Sequence, residues 1–461
     1  MLTTESLVQA GYSLFSRGDL AGARLHYLAA LELDRNSDFA LGNLSVLLGH
    51  EAQLVSMVSI TRRLLARFPQ NGGLWNNLGN ALMRLERYEE SLAALEHAKV
   101  LVPDDGTTWY NLALVYLRID RYADALDCME RMEGLGTVGH KVTHDKAHAL
   151  LALGDLPTAL ELYESRWWSM AHLSPWDFHI PEWKGEPISG RKILFHAEQG
   201  YGDTIMTARF ARDLVDCGAQ VTMALPPDLV SLFSTQNWPG VEVIDLNSLN
   251  PDLAQSFDFQ SPMYSAMRWL GITRESINPA PYLTSLAPRG GPQILQSNSV
   301  YNVGICWASG VRGGEMDWRR RYAPLEFWLP LAELPDIQLY SLQKGPDEAE
   351  IADLGAEALI IDPTASFKNW ADTANFVSQL DLVITVDTAV AHLAGALGKP
   401  VWMLSQFANC WRWWNIKTES GLPWYSTMTI IRQRKPKDWQ GQLEAARERL
   451  RLRRGALRAV A

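Results

Sequence analysis

A unit of 34 residues repeats through the first third of this 461-residue chain. The segment WNNLG at 75–79 returns as WYNLA at 109–113, and the same step links Tyr88 to Tyr122 and Pro69 to Pro103. Extension in both directions gives five units that begin near residues 4, 38, 72, 106 and 140. Each unit has the apolar spacing of two amphipathic helices. The period predicts stacked helical hairpins, an α-solenoid, over residues 1–166.

The period and the pattern W-x2-L-G…Y…A…P resemble the tetratricopeptide repeat (TPR), whose arrays commonly bind peptide on their concave face. The sixth position of the five units is polar: Gln9, Asn43, Asn77, Asn111 and Asp145. O-GlcNAc transferases, which this array resembles, bind an extended polypeptide through an asparagine ladder, so the resemblance implies that Asn43, Asn77 and Asn111 bind a protein acceptor. Alternatively, these amides belong to the general repeat consensus and only join helices.

Composition excludes several classes of protein. Lys plus Arg is 42 and Asp plus Glu is 52, a net charge of −10, which argues against binding of nucleic-acid backbone. The four cysteines are far apart and form no CxxC pair, which argues against a zinc site or disulfides and favours a reducing compartment. The N-terminus lacks a signal-peptide pattern, and charged residues interrupt the most apolar stretch, 380–404. We therefore expect a cytoplasmic protein without an integral membrane segment.

After the repeats, a Trp/Pro-rich connector over 167–190 is expected to pack against the rest of the chain. Strand and helix patterns then alternate in two lobes, 191–297 and 298–435, and a helix with a basic tail follows over 436–461. The predicted strands are 192–197, 220–225, 241–246, 301–307, 337–342, 359–361, 382–386 and 401–404, and the predicted helices include 205–215, 229–233, 325–334, 372–379 and 389–397. This alternation predicts parallel sheets with a ligand cleft at the carboxyl ends of their strands.

Four motifs occur in order along these lobes: EQGYGDT at 198–204, VGICWA at 303–308, SLQKG at 341–345 and DLVITVDTAVAHLAGALG at 381–398. Together they resemble the heptosyltransferase-like (family 9) glycosyltransferases, in the branch that carries an N-terminal TPR array. The resemblance spans about residues 181–440. It implies a GT-B fold of two Rossmann-like lobes, with the acceptor on the first and the nucleotide-sugar on the second. The expected fold class is thus α plus α/β.

The resemblance also implies a catalytic carboxylate in the first motif. We predict that Asp203 is the general base, with Glu198 as the second candidate. Gly200 and Gly202 would let the backbone approach a ligand closely. The structural alternative is that Asp203, with Thr204, only caps the following helix.

Donor binding is predicted at the second lobe. Asp387 and Thr388 end a buried strand and open a helix, whose N-terminus attracts a diphosphate without a metal. The resemblance implies that Asp387 contacts the donor sugar, and Thr388 is assigned to phosphate; His392 is as consistent with a buried structural role as with ligand contact. The predicted donor-binding residues are Gly202, Trp307, Arg320, Arg321, Lys344, Asp387, Thr388, His392 and Arg412. A solvated loop is the alternative for Lys344 and the arginines at 319–321.

The motifs and the resemblance predict a metal-independent glycosyltransferase that needs no cofactor and uses a nucleotide-sugar as substrate. The resemblance implies that it is an inverting enzyme. The acceptor is expected to be a protein recruited by the TPR array, as in bacterial flagellin-type O-glycosylation. Two alternatives stay open: transfer to a glycan or lipopolysaccharide acceptor, and a non-catalytic TPR scaffold with degenerate transferase lobes. A homo-oligomer is also left open.

Overall fold

The structure, a computed structural model, describes residues 3–136, 139–170, 173–285, 292–294, 299–309, 321–414 and 424–460. The chain divides into two compact units, Met1–Val142 and Thr143–Ala461. The division falls inside the first helix of the fifth repeat, whereas the sequence places the end of the array at residue 166. The end of the predicted array contacts the α/β part of the second unit, where the fully buried Arg166 forms ion pairs with Glu164 and with the buried Glu198.

The first unit consists of paired helices. Their bounds are α1 Thr4–Ser16, α2 Leu20–Leu33, α3 Asp38–His50, α4 Leu54–Leu65, α5 Gly72–Arg84, α6 Tyr88–Leu101, α7 Gly106–Arg118 and α8 Tyr122–Gly134, followed by α9 His140–Leu153 across the division. The first helix of each repeat begins at the residue that the period predicts. Side chains of Thr3, Ser37, Asn71 and Asp105 cap four of these helices. The TPR solenoid is thus built as predicted.

The second unit is α/β. Its helices are α10 Leu156–Tyr163, α11 Arg166–Ser169, α12 Tyr201–Ala208, α13 Phe210–Asp216, α14 Pro227–Ser234, α15 Pro251–Ala254, α16 Met263–Trp269, α17 Glu350–Asp353, α18 Trp370–Val377, α19 Ala389–Ala396 and α20 Trp439–Val460. Its strands are β1 Lys192–His196, β2 Gln220–Leu225, β3 Val241–Asp245, β4 Phe259–Pro262, β5 Tyr301–Cys306, β6 Ile337–Ser341, β7 Ile360–Ile361, β8 Leu382–Val386, β9 Val401–Ser405 and β10 Met428–Arg432.

All strand pairs in the two sheets are parallel. The first sheet has the order β3-β2-β1-β4 and the second the order β10-β9-β8-β5-β6-β7. In both, the chain starts in the middle and the direction of winding reverses there, between β1 and β4 and between β5 and β8. In open sheets of this kind, ligands bind outside the carboxyl ends of the strands at such reversal points. These two carboxyl edges are therefore where a site is expected.

The predicted elements differ from the structure in a few places. The helix predicted over 325–334 is two short 3-10 helices, Leu325–Phe327 and Leu329–Leu331. Pro330, which lies in the second, has no backbone N–H to donate in a continuous α-helix. The helix predicted to start at 205 begins at Tyr201, and β4 and β10 are strands that the sequence pattern did not predict. The polar break predicted around 289–299 lies largely outside the described residues.

The connector packs in part as expected. Trp183 is buried, and its backbone N–H donates to the carbonyl of Gln260 in β4 at 2.8 Å. Trp176 remains about half exposed and stacks on Phe178. The end of the connector therefore adds a short parallel bridge beside the first sheet.

Candidate active site at two carboxyl edges

Asp203 lies in the first turn of α12, directly after the loop that follows β1. Its Oδ1 accepts a hydrogen bond from the Tyr264 hydroxyl at 2.6 Å and another from Nε of Arg412 at 2.7 Å. Tyr264 follows β4, and Arg412 lies in the 3-10 helix Trp411–Trp413 that follows β9. Gly200 occupies the N-cap position of α12 without a side-chain cap, so the carboxylate of Asp203 is used for these contacts and not for capping.

The charge of Asp203 is set by these two neighbours. Burial would raise its pKa, but the Arg412 guanidinium and the Tyr264 hydroxyl together hold the pKa of Asp203 below the ordinary value for an aspartate. Burial also raises the pKa of Tyr264 well above its ordinary value, so the phenol stays protonated and keeps donating. Asp203 is therefore an ionised, oriented carboxylate at neutral pH.

Glu198 lies five residues earlier and has a different environment. Its Oε2 accepts from Nε and Nη2 of Arg166 at 3.2 and 2.7 Å, and its Oε1 accepts from the backbone N–H of Tyr264 at 3.0 Å. Both side chains of this ion pair are almost fully buried. Burial raises the pKa of Glu198, although Arg166 opposes that effect. The structure thus places the second candidate base inside a buried ion pair that joins α11, the β1 loop and α16.

The carboxyl edge of the second sheet borders a cavity of about 440 Å³. Residues that follow β5 and β6, the N-terminal ends of α18 and α19, and two residues of the first lobe line it. Among these residues are Tyr201, Lys344, Phe367, Trp370 and Thr388. The rings of Tyr201 and Trp370 lie 5.5 Å apart at its wall. The cavity therefore combines aromatic faces, a helix N-terminus and lysine side chains.

Asp387 and Thr388 connect β8 to α19, as the sequence predicts. Arg321 lies 4.0 Å from the Asp387 carboxylate. Burial raises the pKa of Asp387, while the charges of Arg321 and Arg412 oppose the rise. Thr388 is the N-cap residue of α19 and its Oγ1 lies 2.8 Å from Oγ1 of Thr385. Thr388 lines the cavity, whereas Asp387 interacts electrostatically with Asp203, so this turn borders both parts of the candidate site.

His392 lies one turn into α19 and is surrounded by protein groups. Its Nδ1 is 2.9 Å from the hydroxyl of Tyr425, and its ring stacks on Trp413. Burial lowers the pKa of His392 to about 3. A Cβ at Gly202 would lie 2.8 Å from Cδ2 of His392 and 3.3 Å from Cα of Ala389. Gly202 therefore serves the close approach of α12 to α19.

Two other residues predicted to bind the sugar donor, Trp307 and Lys344, form hydrogen bonds within the protein. Trp307 is fully buried, and its indole N–H donates to Glu350 at 3.3 Å. Lys344 donates to the carbonyls of Thr364 and Phe367 at 3.1 and 2.9 Å, although the residue lines the cavity. Arg320 lies outside the described residues.

The three asparagines at the sixth position of the repeats, Asn43, Asn77 and Asn111, lie in different environments. Asn111 is buried, donates to Oδ1 of Asn76 at 2.9 Å and accepts from Nδ2 of Asn80 at 3.1 Å. Asn43 is partly exposed and donates to the carbonyl of Phe39 at 2.9 Å. Asn77 lines a second, open cavity of about 410 Å³ in the first unit, near Asn80. Of the three, the structure gives Asn111 the helix-joining environment and Asn77 a position open to a ligand.

The sequence pattern gave no role to Tyr264, Gln199 or Arg166. Tyr264 contacts both carboxylates, Arg166 contacts Glu198, and Gln199 contacts Arg412. Tyr264 follows β4, a four-residue strand that the pattern did not reveal. Arg166 lies in the stretch that the period assigned to the end of the repeats. Gln199 lies inside the first motif, between Glu198 and Gly200, and this position was the one sequence signal that could have indicated a role for it.

The described residues contain no group of three or more His, Cys, Asp or Glu side chains that could hold a metal ion. Among the described helices, none has the length and apolar character needed to cross a bilayer.

Residues 72–132 match the tetratricopeptide repeat family. The chain is 26% identical over 449 residues to the protein FlbA of Caulobacter vibrioides, a match that covers 91% of this chain and 70% of FlbA. Because it covers so much of the chain, the similarity extends through both the repeats and the α/β unit. The N-terminal region is thus a TPR array joined to an α/β region with parallel sheets.

Among solved structures, the chain is similar to a TPR protein of Thermus thermophilus, with 20% identity, 36% of this chain and 91% of that chain covered, and a TM-score of 0.32. It is also similar to Pseudomonas aeruginosa PilF, with 22% identity, 46% and 85% covered, and a TM-score of 0.34. Neither likeness bears on function.

Proposed function

We propose that the α/β unit is a metal-independent, inverting glycosyltransferase of the GT-B fold. It would move a sugar from a nucleotide-sugar to an acceptor recruited by the TPR array. One observation carries the proposal: an ionised, doubly hydrogen-bonded Asp203 lies at the carboxyl edge of one parallel sheet, and Arg412 from the edge of the other sheet holds it there. Two facing sheet edges with a carboxylate between them suit a reaction that joins two substrates.

In this reaction Asp203 takes the proton of the acceptor hydroxyl as that oxygen attacks the anomeric carbon. The bond between the anomeric carbon and the diphosphate oxygen breaks, and the electron pair leaves with the diphosphate. The N-terminus of α19 offers backbone N–H groups and a helix dipole to that developing charge. Asp387, adjacent to this helix, would accept a hydrogen bond from a hydroxyl of the donor sugar. The 440 Å³ cavity is of the size that small-molecule sites have.

The test is a screen of nucleotide-sugars for thermal stabilisation of the full chain, because a bound donor stabilises the folded state by mass action. A donor found in this way is then assayed for transfer, with Asp203→Asn as the decisive variant. We expect Asp203→Asn to lower kcat by about 10²–10⁴-fold, the usual contribution of a general base. Its donor Kd should stay unchanged. Full turnover by Asp203→Asn would remove this residue from the role.

The protein acceptor has one specific rival. Asn111, a member of the predicted peptide ladder, uses its side-chain amide in hydrogen bonds with Asn76 and Asn80. This favours a repeat array that serves assembly, together with a glycan or lipopolysaccharide acceptor. A chain without residues 1–142 discriminates: transfer to a glycan acceptor would survive, whereas protein glycosylation would collapse.

A non-catalytic scaffold is the other rival. The Lys344 ammonium donates to two backbone carbonyls, so this cation is already engaged inside the protein. A scaffold predicts that calorimetry detects no nucleotide-sugar binding. Binding together with turnover would exclude it.

A further inference from the structure

A chain of side chains leads from the fifth repeat to Asp203. Tyr163 is the last residue of α10, the second helix of that repeat. Nε2 of Gln199 donates to the Tyr163 hydroxyl at 3.2 Å, and Nη2 of Arg412 donates to Oε1 of Gln199 at 3.3 Å. Arg412 in turn donates through Nε to Asp203. All four residues belong to the second unit.

The ring of Tyr163 also contacts the other groups that hold Asp203. Its centroid lies 5.3 Å from that of Tyr264, the hydroxyl donor to Asp203, and 6.1 Å from that of Trp411. The Arg412 guanidinium lies 4.8 Å from the centroid of Trp411. Tyr163 therefore packs against Tyr264, one donor to Asp203, and against Trp411, which contacts Arg412, the other donor.

The other face of this ring is closed by the fifth repeat. His144 and His148 of α9 stack on Tyr163 at centroid distances of 5.2 and 5.8 Å. Only 2% of Tyr163 is exposed, so packing leaves the ring little freedom to turn. A side chain fixed in this way can impose a direction on the amide of Gln199.

We propose that Tyr163 is a positioning residue of the transfer site: its hydroxyl orients Gln199, which orients Arg412 and thereby the Asp203 carboxylate. The inference rests on the proposed function, since it gives the fifth repeat a part in the chemistry assigned to Asp203. The Tyr163 hydroxyl contacts neither that carboxylate nor the cavity, so the effect of the hydroxyl passes through Gln199. The fifth repeat is then a component of the catalytic unit and not a fifth copy of a recruiting module.

The kinetic test uses the full chain and Tyr163→Phe, which keeps the buried ring and removes the hydroxyl. Small misplacement of a reacting group is costly, so we expect kcat to fall about tenfold while the KM for the donor stays unchanged. Gln199→Ala should act in the same direction, and the double variant should lose no more than Gln199→Ala alone. The matched control is Tyr27→Phe in the first unit, where the buried hydroxyl has no hydrogen-bond partner among the described residues; it should keep wild-type kcat.

A second measurement does not depend on turnover. If Tyr163 acts through Arg412 on Asp203, Tyr163→Phe should change the unfolding equilibrium constant at least threefold less in the Asp203→Asn background than in wild type. Additive effects, or a Tyr163→Phe kcat within twofold of wild type, would overturn the inference and leave the proposed function standing. If wild type transfers no sugar, the proposed function fails. The coupling between Tyr163 and Asp203 in the unfolding equilibrium then decides alone whether Tyr163 orients Asp203 through Gln199 and Arg412.

Discussion

The two carboxyl edges of the α/β unit differ in how they are filled. The edge of the first sheet is occupied by charged and phenolic side chains that satisfy one another: Asp203, Tyr264, Glu198 and Arg166. The edge of the second sheet borders a cavity of about 440 Å³ whose wall is mostly apolar or aromatic. A packed edge fixes the position of charges, whereas an open edge offers surface for a ligand.

The difference separates two quantities that a kinetic experiment measures. In the proposed reaction, residues of the packed edge should control the rate of the chemical step, because they would hold groups that act in the transition state. Residues of the open edge should control donor affinity, because they contribute contacts in both the ground state and the transition state. Variants at the two edges should therefore have opposite kinetic signatures.

The largest expected effect concerns stability at the packed edge. Arg166→Ala would leave Glu198 buried without its counter-charge, a change that typically costs about 3–5 kcal/mol of unfolding free energy. Urea denaturation of the full chain measures it. The matched control is Arg191→Ala, which removes an exposed ion pair with Asp258 and should lower the unfolding free energy far less than Arg166→Ala does. Equal costs for the two variants would mean that the edge is not held by the buried pair.

The second effect concerns affinity at the open edge. Trp370→Ala removes an aromatic wall of the cavity beside Tyr201 and should raise the donor Kd by about 5–150-fold, the range for loss of one base-stacking contact. The kcat at saturating donor should be unchanged, in contrast to Asp203→Asn. Calorimetry and steady-state kinetics check both. Trp176→Ala in the connector, which does not line the cavity, is the control; a fall in kcat with unchanged Kd for Trp370→Ala would reverse the assignment of the two edges.

The sequence predicted local structure far better than the packed edge. The 34-residue period located the first helix of all five repeats, and turn chemistry located Asp203 and Asp387 after buried strands. Arg412 lies 209 residues from Asp203 and reaches it only because the strand order brings β1, β4 and β9 to facing edges. Tyr264 was missed because β4 has only four residues, too few for a clear alternation of apolar and polar positions.

A smaller effect on stability is expected in the repeats, where Asn77 and Asn111 occupy the same position of successive units. Asn111→Ala would leave the amides of Asn76 and Asn80 without their partner and should lower the unfolding free energy by about 1–3 kcal/mol. Asn77→Ala removes a side chain at an open cavity and should change it by less than about 0.5 kcal/mol. Denaturation and titration with a protein acceptor distinguish two roles at this position. Loss of acceptor binding by Asn77→Ala alone would support peptide recognition; unchanged binding in both variants would assign this position to helix packing.

The smallest expected effect is the pH dependence of kcat, and it separates the two carboxylates of the packed edge. Arg412 and Tyr264 hold the pKa of Asp203 below its ordinary value of 3.8, and the pKa of His392 is lowered to about 3. In the proposed reaction the deprotonated form of Asp203 is the active one, so a lowered pKa would keep this carboxylate active as pH falls. Because Asp203 stays deprotonated over this range, we expect kcat to stay within about twofold between pH 6 and pH 8.

As the solution is acidified, Glu198 would lose its active, deprotonated form at a higher pH than Asp203, since burial raises the pKa of Glu198 above the ordinary 4.5. A pH–rate profile of the wild-type chain decides between them, provided that unfolding is monitored in the same buffers. An acidic limb above pH 4.5 that persists in Asp203→Asn would transfer the role of base to Glu198. A flat profile, abolished together with activity in Asp203→Asn, would leave Glu198 as the partner of Arg166 and Asp203 as the group that takes the proton.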